Sequence, residues 1–326
     1  MHCSTPTTSP ERCSRSTAGN DLSEEDLTMT HRSALPRIGY LGLGAMGAPM
    51  AHRLHDAGFP LRVWNRTVAR TEPFAARGVG VAGSVAELAE SSDIVLSCLL
   101  STEVTREVYL GAGGLLSGAR PGLVVVEHGT FDPALAEEIA AAAADRGAYF
   151  VDAPVSGGAV AAAAGSLAVM AGGPPEAESL FRRVVGAYAG VVEWLGPVGS
   201  GLALKLVNQM LVSTHVAVAT EAANVVRSLG IDPEAATRVL SGGWAQSAML
   251  ERALPLVFAG DFAAPSDATI GGLAEAQRLL ADVATTAGVE VPVFARAADR
   301  FAEARDRGWS DRDLTALAAL GEAPAA

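Results

Sequence analysis

The stretch from Arg37 to Thr67 constrains this 326-residue chain more than any other. A short apolar run, Ile38 to Leu43, breaks into Gly42, Gly44 and Gly47 at G-x-G-x-x-G spacing and continues as a helix-compatible segment to Leu54. After Gly58 a second apolar run follows, Leu61 to Trp64. That order is strand, tight turn, helix, strand, closed within about thirty residues as a βαβ unit requires. Gly42 permits the turn, Gly44 lets a pyrophosphate approach the backbone, and Gly47 lets helix and strand lie close. With Leu43, Ala45 and Met46 these glycines form the expected dinucleotide loop, whose phosphates would rest on free N–H groups at the helix N-terminus.

The end of the second strand bears on which dinucleotide. NAD-binding units place Asp or Glu about twenty residues past the fingerprint, on the ribose 2'-hydroxyl. Here the place reads Asn65, followed by Arg66 and Thr67. A carboxylate would repel a 2'-phosphate, whereas a guanidinium binds it in a fork and a hydroxyl donates to it. NADP (NADPH) is therefore the expected cofactor and NAD the lesser alternative. The competing reading of Arg66 is a solvated turn residue.

Length allows two domains and a large core. An apolar share of 49% and a charged share of 18% are those of a globular chain. The net charge of -12 argues against a nucleic acid partner, which would demand a basic face. Of the three cysteines, Cys3 and Cys13 lie in a polar tail and Cys98 in an expected buried strand, so no disulfide framework is read and a cytoplasmic, reducing location is expected. No metal-ligand spacing occurs among the six scattered histidines. Residues 1–36 are expected to form a disordered extension, with Met29 an alternative start.

Further on the pattern repeats. Helix-like Val68 to Arg77 precedes a short strand near Val79 to Val81, and Ser84 with Glu87 forms a capping box. Asp93 to Leu99 is read as a strand, and its run Ile94-Val-Leu-Ser-Cys-Leu-Leu is continuous and apolar, as expected when both faces are buried. Beyond it, Ser101 to Leu110 is a loop and helix start at a carboxyl edge, where open parallel sheets bind ligands, and Leu99, Leu100 and Thr105 there are expected at the cofactor. The strand Leu123 to Glu127 ends there too. Thr130 is the expected contact to nicotinamide or substrate, with His128 read as a polar loop residue. Helix Pro133 to Arg146 leads to strand Tyr149 to Asp152 and then Ser156-Gly157-Gly158. A serine before two glycines can expose consecutive N–H groups to a small carboxylate, though a plain glycine hairpin, running on to a strand within Ser166 to Gly173, would look the same. Helix Pro175 to Tyr188 and strand Val191 to Leu195 complete an α/β doubly wound, Rossmann-type domain over residues 37–197.

Gly196-Pro197-Val198-Gly199 is a linker, and from Ser200 to Ser228 nothing interrupts a helix until Gly230. Such an interdomain helix would be roughly 40 Å long at 1.5 Å per residue. Lys205, Asn208, Gln209, His215 and Glu221 punctuate it, so a membrane span is not expected. Lys205, Asn208 and Gln209 share one helix face. A lysine buried there would have a lowered pKa suited to proton transfer; one reaching to solvent would not. Residues 198–326 read as all-α, with helices Pro233 to Leu240, Ala248 to Phe258, Gly271 to Ala287 and Val293 to Arg307, a last helix capped within Ser310 to Leu314, and a frayed tail. His215 and Trp244 are read as cleft lining or, more simply, core filling.

Four stretches in this order resemble the beta-hydroxyacid dehydrogenase family: residues 42–51, Gly129-Thr130, residues 152–167 from Asp-Ala-Pro-Val-Ser-Gly-Gly onward, and residues 199–209. The resemblance implies that Lys205 acts as general acid/base on the substrate oxygen, that Ser156, Gly157, Gly158, Asn208 and Gln209 hold the substrate, and that a nicotinamide lies between the domains. One departure stands out: where the family has a Lys-Asp-Leu-Gly-Leu-Ala stretch, this chain reads Thr269-Ile-Gly-Gly-Leu-Ala274. The expected function is hydride transfer between NADP(H) and a small beta-hydroxy acid or semialdehyde. An imine reductase-like enzyme and a non-catalytic NADP-binding homologue are the alternatives. A small carboxylate or carbonyl substrate and a homodimer are the expected partners, the dimer because so long an apolar helix exceeds what one small domain can cover.

Overall fold

The computed structural model describes residues 35–260, 262 and 268–321, and the described residues from Pro36 onward fall in one compact unit. The N-terminal extension and the C-terminal tail read from the sequence lie outside the described residues. Four strands begin the chain's sheet: β1 (Ile38–Leu41), followed by α1 (Gly47–Asp56); β2 (Leu61–Trp64), followed by α2 (Glu72–Ala75); β3 (Gly80–Val81), followed by α3 (Val85–Glu90); and β4 (Ile94–Ser97), followed by α4 (Thr102–Leu110). Then come β5 (Val124–Glu127), α5 (Pro133–Ala144), β6 (Tyr149–Asp152), β7 (Val155–Ser156), α6 (Gly158–Ala164), β8 (Leu167–Gly172), α7 (Pro175–Val185) and β9 (Ala189–Gly196).

The strands join in the order β3-β2-β1-β4-β5-β6-β8-β7, with β9 on β8. From β3 to β6 all pairings are parallel, β8 is antiparallel to β6 and β7, and β9 runs parallel to β8. Chain order reverses between β1 and β4, and at such a switch point a crevice opens beyond the strand ends. Each central strand is buried on both faces and divides its side chains by twos. Tyr40, Leu96, Val126 and Val151 face a core shared with α1 and α7, while Leu41, Val95, Val125 and Phe150 face one shared with α3, α4 and α5.

A second, helical layer follows: α8 (Ser200–Ser228), α9 (Pro233–Ser241), α10 (Ala248–Ala259), α11 (Ala274–Ala287) and α12 (Pro292–Asp306). By length and composition α8 could cross a membrane. Here it is a spine whose Val216, Ala219 and Ala223 pack with Leu254, Val257, Phe301 and Leu317, while Leu206 packs with Leu279, Leu280 and Phe294. The architecture is thus a Rossmann domain followed by a helical domain, as the sequence implied.

Local departures have physical reasons. The helix read over Val68 to Arg77 is a 3-10 turn, Val68–Thr71, and then α2. Pro73 lacks an N–H and would clash with a carbonyl four residues back, so it starts a helix rather than continuing one. Ser84 does cap α3, accepting from Glu87 N at 3.1 Å, but Glu87 reaches back to Gly83 N at 2.7 Å. The glycine hairpin alternative fails: Gly157 and Gly158, at φ 133° and 73°, break the strand, and the alanine-rich run after them winds into α6. The terminal helix is a 3-10 segment, Leu314–Leu320, capped by Asp313 through Thr315 N at 2.9 Å. The helical layer also holds one isolated bridge, Thr269 to Asp313.

Candidate active site

At the switch point the glycine loop folds as its spacing demands. A Cβ on Gly42 would stand 2.4 Å from the Cys98 carbonyl oxygen, and one on Gly47 would stand 1.9 Å from the Gly42 oxygen. Gly44 differs, since a Cβ there would meet only Arg70 Nη1, at 3.5 Å. The loop is tight against the sheet and open outward, which fits a pyrophosphate on its backbone. The site holds the right donors for a dinucleotide: Gly42 to Gly47 at the loop, and Arg66 and Thr67 exposed beyond β2. Ala45 is exposed on the loop, and Met46 precedes α1.

Asn65 has a task that the sequence did not reveal. Its Oδ1 accepts from Leu43 N at 2.9 Å and its Nδ2 donates to Thr67 O at 2.9 Å, so it ties the glycine loop to the end of β2. Arg70 was missed as well, and its Nη1 lies 3.4 Å from Leu43 O, at the rim of the loop.

Beside this loop, β4 and β5 end in Leu99–Leu100 and Gly129–Thr130. Glu127 joins them from beneath. Its carboxylate accepts from Leu99 N at 3.0 Å, Gly129 N at 2.6 Å and the Ser97 hydroxyl at 2.5 Å, and Tyr109 supports Ser97 at 2.5 Å. Burial holds this carboxyl above the usual range, with the Ser97, Leu99 and Gly129 donors pulling the other way. Leu100 is 90% exposed at the loop tip, Thr130 is half-buried, and Thr105 is buried with its hydroxyl on Ser101 O at 2.9 Å.

His128 lies in the loop after β5, as read, and the structure adds that it is buried there. Its Nδ1 lies 2.6 Å from Ala153 O and its Nε2 2.8 Å from the Tyr188 hydroxyl. A carbonyl only accepts, so the proton sits on Nδ1 and Tyr188 donates to Nε2. Burial pushes the imidazole down to about 4, so it is neutral and structural. Trp244 is no core residue, being fully exposed between α9 and α10, and His215 is half-buried.

Across the crevice stands the start of α8. Asp152, at the end of β6, accepts from Gly199 N at 2.7 Å and Leu202 N at 2.8 Å, supplying from another element the cap that Gly199 lacks. Burial pushes its carboxyl up to about 7, against the pull of those donors. Gly201 lets the helix lie on the strands, since a Cβ there would be 2.3 Å from Met170 O.

Lys205 follows one turn later. It is 8% exposed, and its Nζ donates to Val155 O at 2.8 Å. Burial lowers it to about 8, offset in part by the neighbouring Cys98 thiol, which burial itself pushes up to about 12. One N–H of the ammonium is engaged by Val155, leaving donors for another oxygen. Ser156 donates to Asn208 Oδ1 at 3.2 Å, and Asn208 Nδ2 donates to Gln209 Oε1 at 3.0 Å. Lys205, Asn208 and Gln209 share one face of α8, as their spacing suggested, and Val155–Ser156 of β7, followed by Gly157 and Gly158, meets that face at Lys205 and Asn208, as the resemblance implied. At the departing motif, the Thr269 hydroxyl accepts from Gly272 N at 3.1 Å and caps a short turn.

Residues 37–196 match a family described as the NAD binding domain of 6-phosphogluconate dehydrogenase, and residues 199–320 match one described as NAD-binding of NADP-dependent 3-hydroxyisobutyrate dehydrogenase. An L-threonate dehydrogenase of Cupriavidus necator is 34% identical over 281 residues, 86% of this chain and 94% of that one. A 3-hydroxyisobutyrate dehydrogenase structure from Salmonella typhimurium superposes with a TM-score of 0.80 at 29% identity, covering 87% of this chain and 99% of that chain. The structure of Psf3 in complex with NADP+ and 2-OPP gives 0.81 at 26% identity, covering 87% and 100%.

Proposed function

The chain belongs to the beta-hydroxyacid dehydrogenase family and is an NAD(P)-dependent hydroxyacid dehydrogenase; from that premise we propose that it uses NADP(H) on a small beta-hydroxy acid or semialdehyde, with Lys205 as general acid/base. The observation that carries the reading is Lys205 itself: buried, lowered to about 8, and beside the Ser156–Asn208–Gln209 chain. A group with that pKa is populated in both protonation states near neutral pH, which proton transfer in both directions requires.

A bound reduced dinucleotide would supply the hydride that the substrate's carbonyl carbon needs. Lys205 gives a proton from Nζ to the carbonyl oxygen in reduction and takes it back in oxidation. Val155 O holds the amine in place without neutralising it. Ser156, the Gly157 and Gly158 amides, Asn208 and Gln209 orient the substrate carboxylate by donating to it. Gly42 to Gly47, with Leu99, Leu100, Thr105 and Thr130 on the neighbouring loops, hold the dinucleotide. Arg66 and Thr67 take a 2'-phosphate, a preference that the absence of a carboxylate at Asn65 supports.

The experiment is a panel of L-threonate, 3-hydroxyisobutyrate, glyoxylate and succinic semialdehyde with each dinucleotide, followed at the nicotinamide absorbance. Turnover of a hydroxy acid or its semialdehyde with NADP(H) at a markedly lower KM than NAD(H) is expected. Equal use of the two dinucleotides would remove the NADP assignment, and no turnover of any member would remove the substrate class.

The assembly belongs to the same proposal. Leu204, Val207, Leu211, Val218 and Val225 are 40% to 56% exposed along α8, and four of them recur every seven residues. That spacing suits a second copy of the helix. Light scattering of the full chain should give twice the 33.2 kDa monomer mass; a monomer at micromolar concentration would count against the pairing.

A further inference from the structure

The helical domain also meets the Rossmann domain away from α8, through two residues 173 positions apart. Glu275, in the first turn of α11, accepts from the Thr102 hydroxyl at 2.5 Å, and the same carboxylate oxygen lies 3.4 Å from Thr102 N. Thr102 is the first residue of α4, so that N–H is one of the donors a helix start leaves over. The Thr102 hydroxyl oxygen in turn accepts from Asp132 N at 2.9 Å. Asp132 caps α5, its carboxylate taking Ala134 N at 2.9 Å. The starts of α4, α5 and α11 thus converge on one hydroxyl and one carboxylate. Each helix start presents roughly half a positive charge, so the Glu275 carboxylate is met by backbone rather than by a cation.

The position of this junction gives it a consequence. The start of α4 follows Leu99–Ser101 directly, and the start of α5 follows Gly129–Phe131. Those are the two loops that Glu127 ties from beneath. One carboxylate grips them from inside their own domain and another from the opposite domain.

We propose that Thr102 and Glu275 form an interdomain latch, and that Glu275 is a positioning residue that holds the two dinucleotide-side loops in place from across the crevice. Ordering the loops and bringing the domains together then become one event, so whatever favours one favours the other. The effect on dinucleotide binding rests on the function proposed above; the latch itself does not.

The test uses the full chain as wild type, Glu275→Ala, Thr102→Val, Thr102→Ser, and the pair Thr102→Val with Glu275→Ala. Backbone hydrogen exchange without dinucleotide reads residues 99–105 and 129–134. Exchange there should rise about tenfold in Glu275→Ala and in Thr102→Val, no further in the pair, and not at all in Thr102→Ser, which keeps the hydroxyl. NADPH affinity, followed by fluorescence quenching, should fall several-fold in the same three weakened variants. Unchanged exchange, effects that multiply in the pair, a Thr102→Ser variant as loose as Thr102→Val, or faster exchange with unaltered NADPH affinity would each overturn the proposal. Were the wild type to bind neither NADPH nor NADH, the functional reading would fall while the exchange pattern still decided the latch.

Discussion

Glu127 and Asp152 end neighbouring strands in register, and both side chains are fully buried. Burial raises both carboxyls, and in both cases backbone N–H donors oppose the shift. What they hold is different. Glu127 gathers Leu99 N and Gly129 N, the two loops beside the glycine cradle, whereas Asp152 gathers Gly199 N and Leu202 N, the first turn of the helix that carries Lys205. The sheet edge uses one chemical device twice, once to join the two loops proposed to hold the dinucleotide and once to seat the helix that carries the proposed acid/base. Damage to the first should appear in dinucleotide KM, and damage to the second in turnover.

The largest effect should come from the group that Asp152 seats. Lys205→Ala should lower kcat by about 10²–10⁴-fold, with NADPH affinity by fluorescence titration nearly unchanged. A kcat within a few-fold of wild type would erase the distinction between the two edges. Next, Asp152→Ala leaves one buried and one half-buried N–H group without an acceptor and should cost about 2–3 kcal/mol of stability in a denaturant titration. Its kcat should fall more than its dinucleotide KM rises. Glu127→Gln keeps an acceptor but brings an NH₂ toward donors, so its dinucleotide KM should rise about tenfold with kcat little altered. A variant in which kcat fell and KM did not would reverse the assignment.

The smallest effect sharpens the comparison through pH. As the proposed acid/base, Lys205 would have to be protonated to give its proton in reduction and deprotonated to accept one in oxidation. With its pKa lowered to about 8, kcat/KM should fall as pH rises through 8 in the reductive direction and rise in the oxidative one, approaching a tenfold change per pH unit on the limiting side. Glu127→Gln should leave that midpoint in place. The same curve shape in both directions would separate the profile from Lys205.

Much of this was legible because it is local. Glycine spacing marks a turn wherever it occurs, and the bounds of α8 follow from a Pro/Gly linker on one side and Gly230 on the other. Lys205, Asn208 and Gln209 share a face by helical geometry alone. The rest depends on partners distant in sequence. The burial of His128 was hidden because its hydroxyl partner, Tyr188, lies 60 positions away, and Glu127 gave no hint that Leu99, 28 positions away, would close on it. The start of α6 was local but hidden, since two glycines outweighed the helix-forming alanines behind them. Trp244 shows the opposite error: a large apolar residue suggests burial, yet a short helix-to-helix connection leaves it outside.

Gly201 carries a last implication. Because Met170 O and Asp152 O would lie 2.3 and 2.7 Å from any Cβ there, the rod rests flush on the strands at its root. The amine's coordinates are therefore surveyed first from the strand ends, where Val155 O also holds it. The distal helices could then be re-carved while the amine of Lys205 stayed where it was.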